Sequence, residues 1–384
     1  MSKRHTTVNV AVIGGGVEGC SIAWHLARAG VSVTLLERWE ISAGASGASA
    51  GGVRHQGRDL REFPLAFRAI ERWQTLEEDL GADLEYRRGG HATTTEQPED
   101  LPILKASVRA QQLAGLDIRV VSGTDLRDLI PGISPNVVAA AYSPGDGHAN
   151  PTLTTQAFAR AAERAGAMIC TGCSVTAISQ TGGRITGIAT ADGPIAADVI
   201  VLAAGAWSGE LAATIGLDLH CSPDGYQAMT TYPVEPHLVQ VLGSMQRMIS
   251  LKQLPDGRYL LGGGWPGTFS LETPRGQTNE ANILGNQEAA IALIPDVAHA
   301  VLDQAWIGID MHGHDDVPIL GRVDGIDGLI VATGFSGHGF ALSPAVGEAI
   351  AGLITTGSSP IDISALGLDR FDGASEASAL HHAG

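Results

Sequence analysis

Cysteine is scarce in this chain, with four among 384 residues. A protein of this length can build a core without a disulfide framework. Cys170 and Cys173 form a lone C-x-x-C in MICTGCSV, and no second pair stands at zinc-site spacing. Together with Cys20 and Cys221 they read as packed thiols. Basic residues are also few, 24 against 41 acidic, for a net charge of −17. A nucleic-acid or anionic-membrane partner calls for a basic face, so neither is expected. No uncharged apolar run reaches the ~18 residues that would suggest a bilayer span. The opening MSKRHTTVNV lacks the apolar segment of a signal peptide, and a cytoplasmic location is expected. Aromatics are only 5%, yet hydrophobic residues reach 44% and charged residues 17%. That balance belongs to a globular protein rather than a disordered one. The length favours two domains.

Glycine is abundant, with 50 residues, and no Gly-X-Y period accompanies it. The excess belongs in turns and at close backbone approaches. Residues 8–13 read as a short buried strand. Val17, Cys20, Ala23, Trp24 and Ala27 follow at helical spacing, and Gly30 closes that helix. Residues 31–36 form a second strand, which completes a β-α-β unit with a parallel pair. Residues 41–57 are rich in Gly, Ala and Ser, and a helix carrying Phe63, Ala66, Ile70, Trp73 and Leu76 comes next. A helix ending at Gly166 leads to three strand candidates, CSVTAI, RITGIATA and DVIVLAAG, separated by turns. From about 217 to 310 the pattern is strand-like. GLIVATG is a last buried strand, followed by Ser343-Pro344 as a cap and first helical residue. The tail from Gly373 reads as frayed.

The first strand ends in Gly14-Gly15-Gly16-Val17-Glu18-Gly19, which fits G-x-G-x-x-G in its required strand–turn–helix context. Gly14 permits the tight turn, Gly16 lets backbone approach a pyrophosphate, and Gly19 lets helix pack on strand. The helix N-terminus favours the phosphates. Glu37, at the end of the second strand, is placed to accept both hydroxyls of an adenosine ribose. FAD is favoured over NAD by three further features. The Gly/Ser loop after the second strand suits a flat ring and ribityl chain. Ala203-Ala204-Gly205-Ala206-Trp207 returns to the same sheet. Thr333-Gly334-Phe335-Ser336-Gly337-His338-Gly339 aims another helix N-terminus at the cofactor, where it would suit the charge of a reduced flavin.

VIGGGVEGCSIAWHLARAGVSVTLLER, DVIVLAAGAWSGEL and GLIVATGFSGHGFALSPAVGEAIAGLI resemble the D-amino-acid oxidase family of flavoproteins. GFSGHGF and SGASAGGVR are most similar to its sarcosine oxidase and glycine oxidase branch, which also includes hydroxyproline and opine dehydrogenase subunits. The resemblance implies oxidation of a C–N bond by hydride transfer to flavin N5, giving an imine that hydrolyses. It places the cofactor against Gly14, Gly16, Val17, Glu18, Gly19, Glu37, Arg38, Ala45, Ser46, Ser49, Ala50, Gly51, Val175, Ala204, Gly205, Trp207, Gly334, Gly337, His338, Gly339 and Phe340. The chain also departs from the family. No cysteine follows Cys221, and Ser46, Gly47, Ala48 and Ser49 stand where histidyl-linked relatives carry histidine, so noncovalent FAD is expected. Ala341 replaces a lysine that helps hold the substrate carboxylate, and Asp310 stands at the position of a carboxylate-binding arginine. The basic residue that aids oxygen activation is not evident near Gly262-Gly263-Gly264.

The catalytic candidates are Arg54, His55 and His338. Arg54 can hold a carboxylate through its guanidinium fork. His338 would lie against the pyrimidine edge of the flavin. Tyr226, Trp265, Asp310 and His312 are substrate-side candidates beside Arg54, with Tyr259 a further aromatic that could line the pocket or lie in the core. No metal is expected, although His312 and His314 flank Gly313. The expected fold is α/β. A discontinuous Rossmann-like FAD-binding domain comes from 1–88, 150–217 and 311–384. A smaller α+β substrate domain with a mainly antiparallel sheet comes from 89–149 and 218–310. The expected activity is FAD-dependent oxidation of a small amine or N-substituted amino acid, with O2 or another electron acceptor. The alternative is an FAD subunit of a hetero-oligomeric amine, hydroxyproline or opine dehydrogenase. A homo-oligomer or partner subunits fit either.

Overall fold

A computed structural model describes residues 7–372. The first six residues and the tail from Gly373, read from sequence as frayed, lie outside the described residues. The chain divides into two compact units, Met1–Ala43, Phe158–Pro223 and Met311–Gly384 against Gly44–Ala157 and Asp224–Asp310.

The first unit is built on an eight-stranded sheet. Strand Thr7–Ile13 lies parallel between Val33–Leu36 and Gly193–Leu202. Met168–Cys170 extends the parallel set beyond Val33–Leu36, and Leu329–Thr333 extends it beyond Gly193–Leu202. Ile319–Arg322 closes that edge antiparallel. The central strands are buried on both faces, as Val33–Leu36 and Leu329–Thr333 show along their whole length. Near-continuous apolar runs such as LIVAT are what a doubly covered parallel sheet demands. CSVTAI and RITGIATA form strands Val175–Thr181 and Arg184–Thr190, an antiparallel pair that continues onto Gly193–Leu202. Helices Val17–Arg28 and Gly339–Thr355 pack on each other, and the Ser21 hydroxyl donates to the Ser343 carbonyl at 2.7 Å.

That last helix starts at Gly339, not at Ser343-Pro344 as its sequence suggests. Pro344 sits inside it and cannot donate to the Phe340 carbonyl four residues back. The Ser343 hydroxyl takes that place, donating to Phe340 O at 3.0 Å.

The second unit contains a nine-stranded sheet, mainly antiparallel, in which Val241–Ser244 runs parallel to His91–Thr95. One face packs an apolar core of Met229, Leu242, Leu251, Tyr259 and Leu261 against Leu293 and Val297. Tyr259 thus belongs to the core. Helix Glu280–Leu293 interrupts a stretch whose sequence looked strand-like throughout. Its residues EANILGNQEAAIAL spread apolar positions around the whole axis, so no helical stripe stands out. A cap was nonetheless written there, since the Asn279 side chain accepts from Asn282 N at 2.8 Å.

The unit boundaries differ from those expected. Residues 44–88, assigned from sequence to the first domain, group with the second unit, and residues 150–157 do the same. The cause is visible in the hydrogen bonds of residues 44–58. Gly51 O accepts from Ala149 N at 3.0 Å, Ala48 O from Trp306 Nε1 at 2.9 Å, and Gly44 O from Arg275 Nη1 at 2.7 Å. With this segment added, the second unit is the longer of the two rather than the smaller. No helix among the described residues is long and apolar enough to cross a membrane.

Candidate active site

In the first unit, Gly14 turns the chain at φ +115°, and a Cβ there would stand 2.2 Å from the Ala203 carbonyl oxygen. A Cβ on Gly19 would stand 2.0 Å from the Gly14 carbonyl. Both positions therefore exclude any side chain; Gly14 seats the turn against Ala203 and Ala204, and Gly19 seats the helix against Gly14 and Val12. Gly16 caps helix Val17–Arg28, with Glu18 in its first turn. The amides of a first helical turn have no acceptor within the helix and favour anions.

Glu37 is buried beside this turn. Its Oε2 accepts from Gly15 N at 2.6 Å and its Oε1 from Trp39 N at 2.7 Å. Each oxygen keeps a second lone pair for a further donor such as a hydroxyl. Burial pushes the Glu37 carboxyl above its ordinary value, and the amides of Trp39, Gly15 and Arg38 pull it back. Glu37 N donates to Cys170 O at 2.9 Å, and Glu37 O accepts from Cys173 N at 2.8 Å. That pairing brings Val175 to the same corner. The Arg38 guanidinium lies 4.6 Å from the Trp39 ring centroid, and Trp39 meets Trp207 edge-on at 4.8 Å. Trp39 was not foreseen, although an aromatic two residues after Glu37 could have drawn attention. Ser42 donates its amide to Gly15 O at 3.0 Å, while its buried hydroxyl has no partner among the described residues. A glycine cradle, a two-oxygen acceptor and an orphaned hydroxyl on one turn fit a dinucleotide.

The second helix end stands beside the first. Gly334, Ser336 and Gly337 all have positive φ, at +66°, +51° and +77°. The Ser336 hydroxyl donates to Gly334 O at 3.2 Å and accepts from Gly313 N at 3.1 Å, which stabilises this uncommon backbone. His338 caps the helix that begins with Gly339 and Phe340. The Glu18 Oε1 atom lies 2.9 Å from where a Gly339 Cβ would project, so the two helix N-termini are neighbours. His312 bridges to Phe335, and its Nδ1 is 3.7 Å from Asp316. His314 faces His220 instead, at 5.9 Å between ring centroids. Among the described residues no His, Cys, Asp or Glu group is arranged to hold a metal ion.

The second unit holds the other candidates. Ala45, Ser46, Ser49, Ala50 and Gly51 lead into the short strand Gly52–Val53 and then Arg54. Lys252, on strand Ser250–Gln253, donates to the Ala50 carbonyl and is only 2% exposed. Burial alone lowers this lysine to about 7. Thr230 and Lys252 both pair with Leu260, from either side, so the two share a face of the sheet. Thr230 Oγ1 is buried without a partner among the described residues. Lys252 went unnoticed in SLKQLPDG because its charge gives no sign of burial.

Around Arg54 the network is dense. His55 Nδ1 lies 2.7 Å from Asp146 Oδ1, and His55 N donates to the same oxygen at 2.8 Å. Gln56 N donates to Asp146 Oδ2 at 3.2 Å. The Gln56 side chain joins Ala141 O at 3.0 Å and His91 Nδ1 at 2.6 Å. Arg58 Nη1 pairs with Glu62 at 3.1 Å, both side chains fully buried. Arg54 donates to the Gln56 carbonyl, and no carboxylate among the described residues bridges to it. Burial lowers the Arg54 pKa, opposed by the charges of Asp146 and Glu62. Burial also lowers His91 to about 4, aided by Arg54, and His148 to about 3, aided by Lys252 and Arg87. His91 and His148 are therefore neutral near pH 7, and the charges of Arg54 and Arg58 are faced by those of Asp146 and Glu62. Asp146 was missed because nothing in SPGDGHANP distinguishes it from a turn residue.

The remaining candidates are placed elsewhere in the second unit. Tyr226 donates to Asp224 at 3.4 Å. Trp265 donates to Met248 O at 2.7 Å and packs against Gly285 of helix Glu280–Leu293. Asp310 lies on strand Leu302–Gly313.

Comparison with known proteins adds to this geometry. The family described as FAD dependent oxidoreductase matches residues 9–353. Glycine oxidase of Pseudomonas putida (strain KT2440) is 30% identical over 92% of this chain and 95% of its own length. Mitochondrial dimethylglycine dehydrogenase of Mus musculus is 28% identical over 94% of this chain, which spans 44% of that protein. The solved L-proline dehydrogenase from P. horikoshii superposes with a TM-score of 0.90 at 26% identity, covering 96% of this chain and 99% of the other.

Proposed function

The chain belongs to the family of FAD-dependent oxidoreductases, and on that footing we propose that it oxidises the C–N bond of a small amine or N-substituted amino acid. When bound, FAD supplies a hydride acceptor at N5 for the carbon beside the nitrogen; the resulting imine hydrolyses to a carbonyl compound and an amine. The residues suited to hold FAD are the turn Gly14–Gly19, Glu37, Arg38, Ser42, Val175, Trp207 and the helix end at His338–Phe340. Ser46, Ser49 and Ala50 join them in this proposal. Noncovalent binding is supported by Ser46 and Ser49 in the small-residue loop and by the lack of cysteine after Cys221.

One observation carries the assignment of substrate. Arg54 is partly buried and Arg58 is buried, and among the described residues only Arg58 has a carboxylate bridged to it. A partly buried guanidinium with most of its five donors unspent is a site for a carboxylate. Arg54 therefore clamps the carboxylate of the substrate. His55 faces Asp146 through Nδ1, which leaves Nε2 as an acceptor for the proton of the substrate ammonium. A neutral amine is what a hydride transfer from the adjacent carbon requires. His338, at the cap of the last helix, supports negative charge on the cofactor.

Arg54→Lys keeps the charge and loses the fork. The efficiency toward a carboxylate-bearing amine is expected to fall by about tenfold or more, against the ~1.5–3 kcal/mol of a charged hydrogen bond. Unchanged efficiency would remove Arg54 from the clamp. A second form of the same activity is favoured by similarity to the sarcosine oxidase subunit beta of Arthrobacter sp, 26% identical over 95% of this chain and 91% of that subunit. In that form the chain passes electrons to partner subunits, and the purified chain would reduce its flavin with substrate yet consume little oxygen.

A further inference from the structure

With Arg54 taken as the carboxylate clamp, we propose that Asp146 is a positioning residue that holds the Arg54–His55–Gln56 segment so that the Arg54 fork stays open for substrate. Asp146 is fully buried, and its two oxygens accept from three donors: His55 N, His55 Nδ1 and Gln56 N, at 2.8, 2.7 and 3.2 Å. All three belong to the two residues that follow Arg54. From the other side, Arg58 Nε donates to Arg54 O at 2.8 Å and Gly57 N donates to Gln111 Oε1 at 2.9 Å. The peptide groups of residues 54–57 are thus tied to the surrounding protein at successive positions. The guanidinium of Arg54 is the exception, with the Gln56 carbonyl as its one acceptor among the described residues.

Charge accounting separates the roles of the two buried acids. Glu62 neutralises Arg58 directly. Asp146 is near enough to favour the charged form of Arg54, yet makes no ion pair with it. An Asp146–Arg54 bridge would occupy the planar fork that a carboxylate needs. With its lone pairs directed to main-chain amides and an imidazole, Asp146 offsets the desolvation of the guanidinium from a distance and leaves the donors available. The same carboxylate keeps the His55 ring in one orientation.

The test compares two substrates on the holoenzyme. One is an N-alkyl amino acid that the wild type oxidises, and the other is its decarboxylated amine. Asp146→Asn preserves size and can still accept from His55, but its amide nitrogen opposes Gln56 N. The proposal expects KM for the carboxylate-bearing substrate to rise about tenfold or more, while kcat falls by a similar factor for both substrates because both depend on His55. KM for the decarboxylated amine stays within about twofold, and inhibition by acetate weakens in parallel with the acidic substrate. Equal KM changes for both substrates, or no change for either, would overturn the proposal and reduce Asp146 to a structural residue. Should Asp146→Asn not fold, Asp146→Glu keeps the charge and shifts the segment, and the same selective rise in KM is expected at smaller size; an unselective change overturns the proposal equally. Arg54→Met serves as the control. If it fails to weaken the acidic substrate selectively, the clamp itself is misassigned. If it does so while Asp146→Asn does not, only the role of Asp146 falls.

Discussion

Replacing Glu37 with alanine removes two buried acceptors at once, one for Gly15 N and one for Trp39 N. The affinity for FAD should therefore fall by one to a few orders of magnitude, at roughly tenfold per ~1.4 kcal/mol. The apoprotein should also melt earlier, because the amides are left unpaired. Fluorescence titration with FAD and a melting curve read the two effects separately; unchanged affinity would mean that another residue holds the ribose. Lys252 gives a pH-dependent prediction. Its folded value of about 7 lies below the ordinary 10.5. Between these values the unfolded chain binds the proton that the native state lacks, so stability rises as pH climbs through the window. Below about 7 the full cost of burying the ammonium applies. Lys252→Met should accordingly raise stability more near pH 6 than near pH 10, by up to about a few kcal/mol less what the Ala50 carbonyl loses with its donor, read as a larger rise in Tm at pH 6. A gain that grows toward alkaline pH would contradict this. At this scale the glycine turn and the acid beside it were legible because strand, turn, helix and second strand follow one another at a fixed local spacing. Asp146 and Lys252 were not, since burial comes from strands distant in sequence.

At the scale of elements, helix Gly339–Thr355 shows how a local rule gives way to the rest of the fold. Ser-Pro commonly starts a helix, yet here the chain turns helical at Gly339, with Ser343 standing in for the missing proline donor. Ser343→Ala should cost about 1 kcal/mol, the usual worth of a buried hydrogen bond. Denaturant melts with an unchanged m-value would measure it, and a neutral result would mean that the Phe340 carbonyl finds another donor. Residues 8–36 folded as their pattern indicated because strand, glycine turn and helix are all local. Helix Glu280–Leu293 escaped notice because its apolar residues follow no single face. The strands of the second sheet pair across long separations, such as His91 with Val241, and a sequence pattern carries no record of such partners.

For the molecule as a whole, the division into two discontinuous units was visible in the scattered cofactor motifs, while the ownership of residues 44–88 was not. The motifs at 14–19 and 333–340 are tied to backbone geometry and can be read in order. The hydrogen bonds that bind residues 44–58 to Ala149, Trp306 and Arg275 are fixed only after folding. Noncovalent FAD has a simple check at this scale. Acid precipitation should leave a colourless pellet and a yellow supernatant, and a yellow pellet would show a covalent bond. The central claim is that this FAD-dependent oxidoreductase takes hydride from carbon beside nitrogen in a carboxylate-bearing amine. Anaerobic mixing of the holoenzyme with a panel of amines, followed by loss of the flavin absorbance, tests it most directly. With Arg54 as the proposed carboxylate clamp, larger N-substituted amino acids are predicted to bleach the flavin faster than sarcosine or glycine. Failure of every amine in the panel to bleach the flavin would contradict the account.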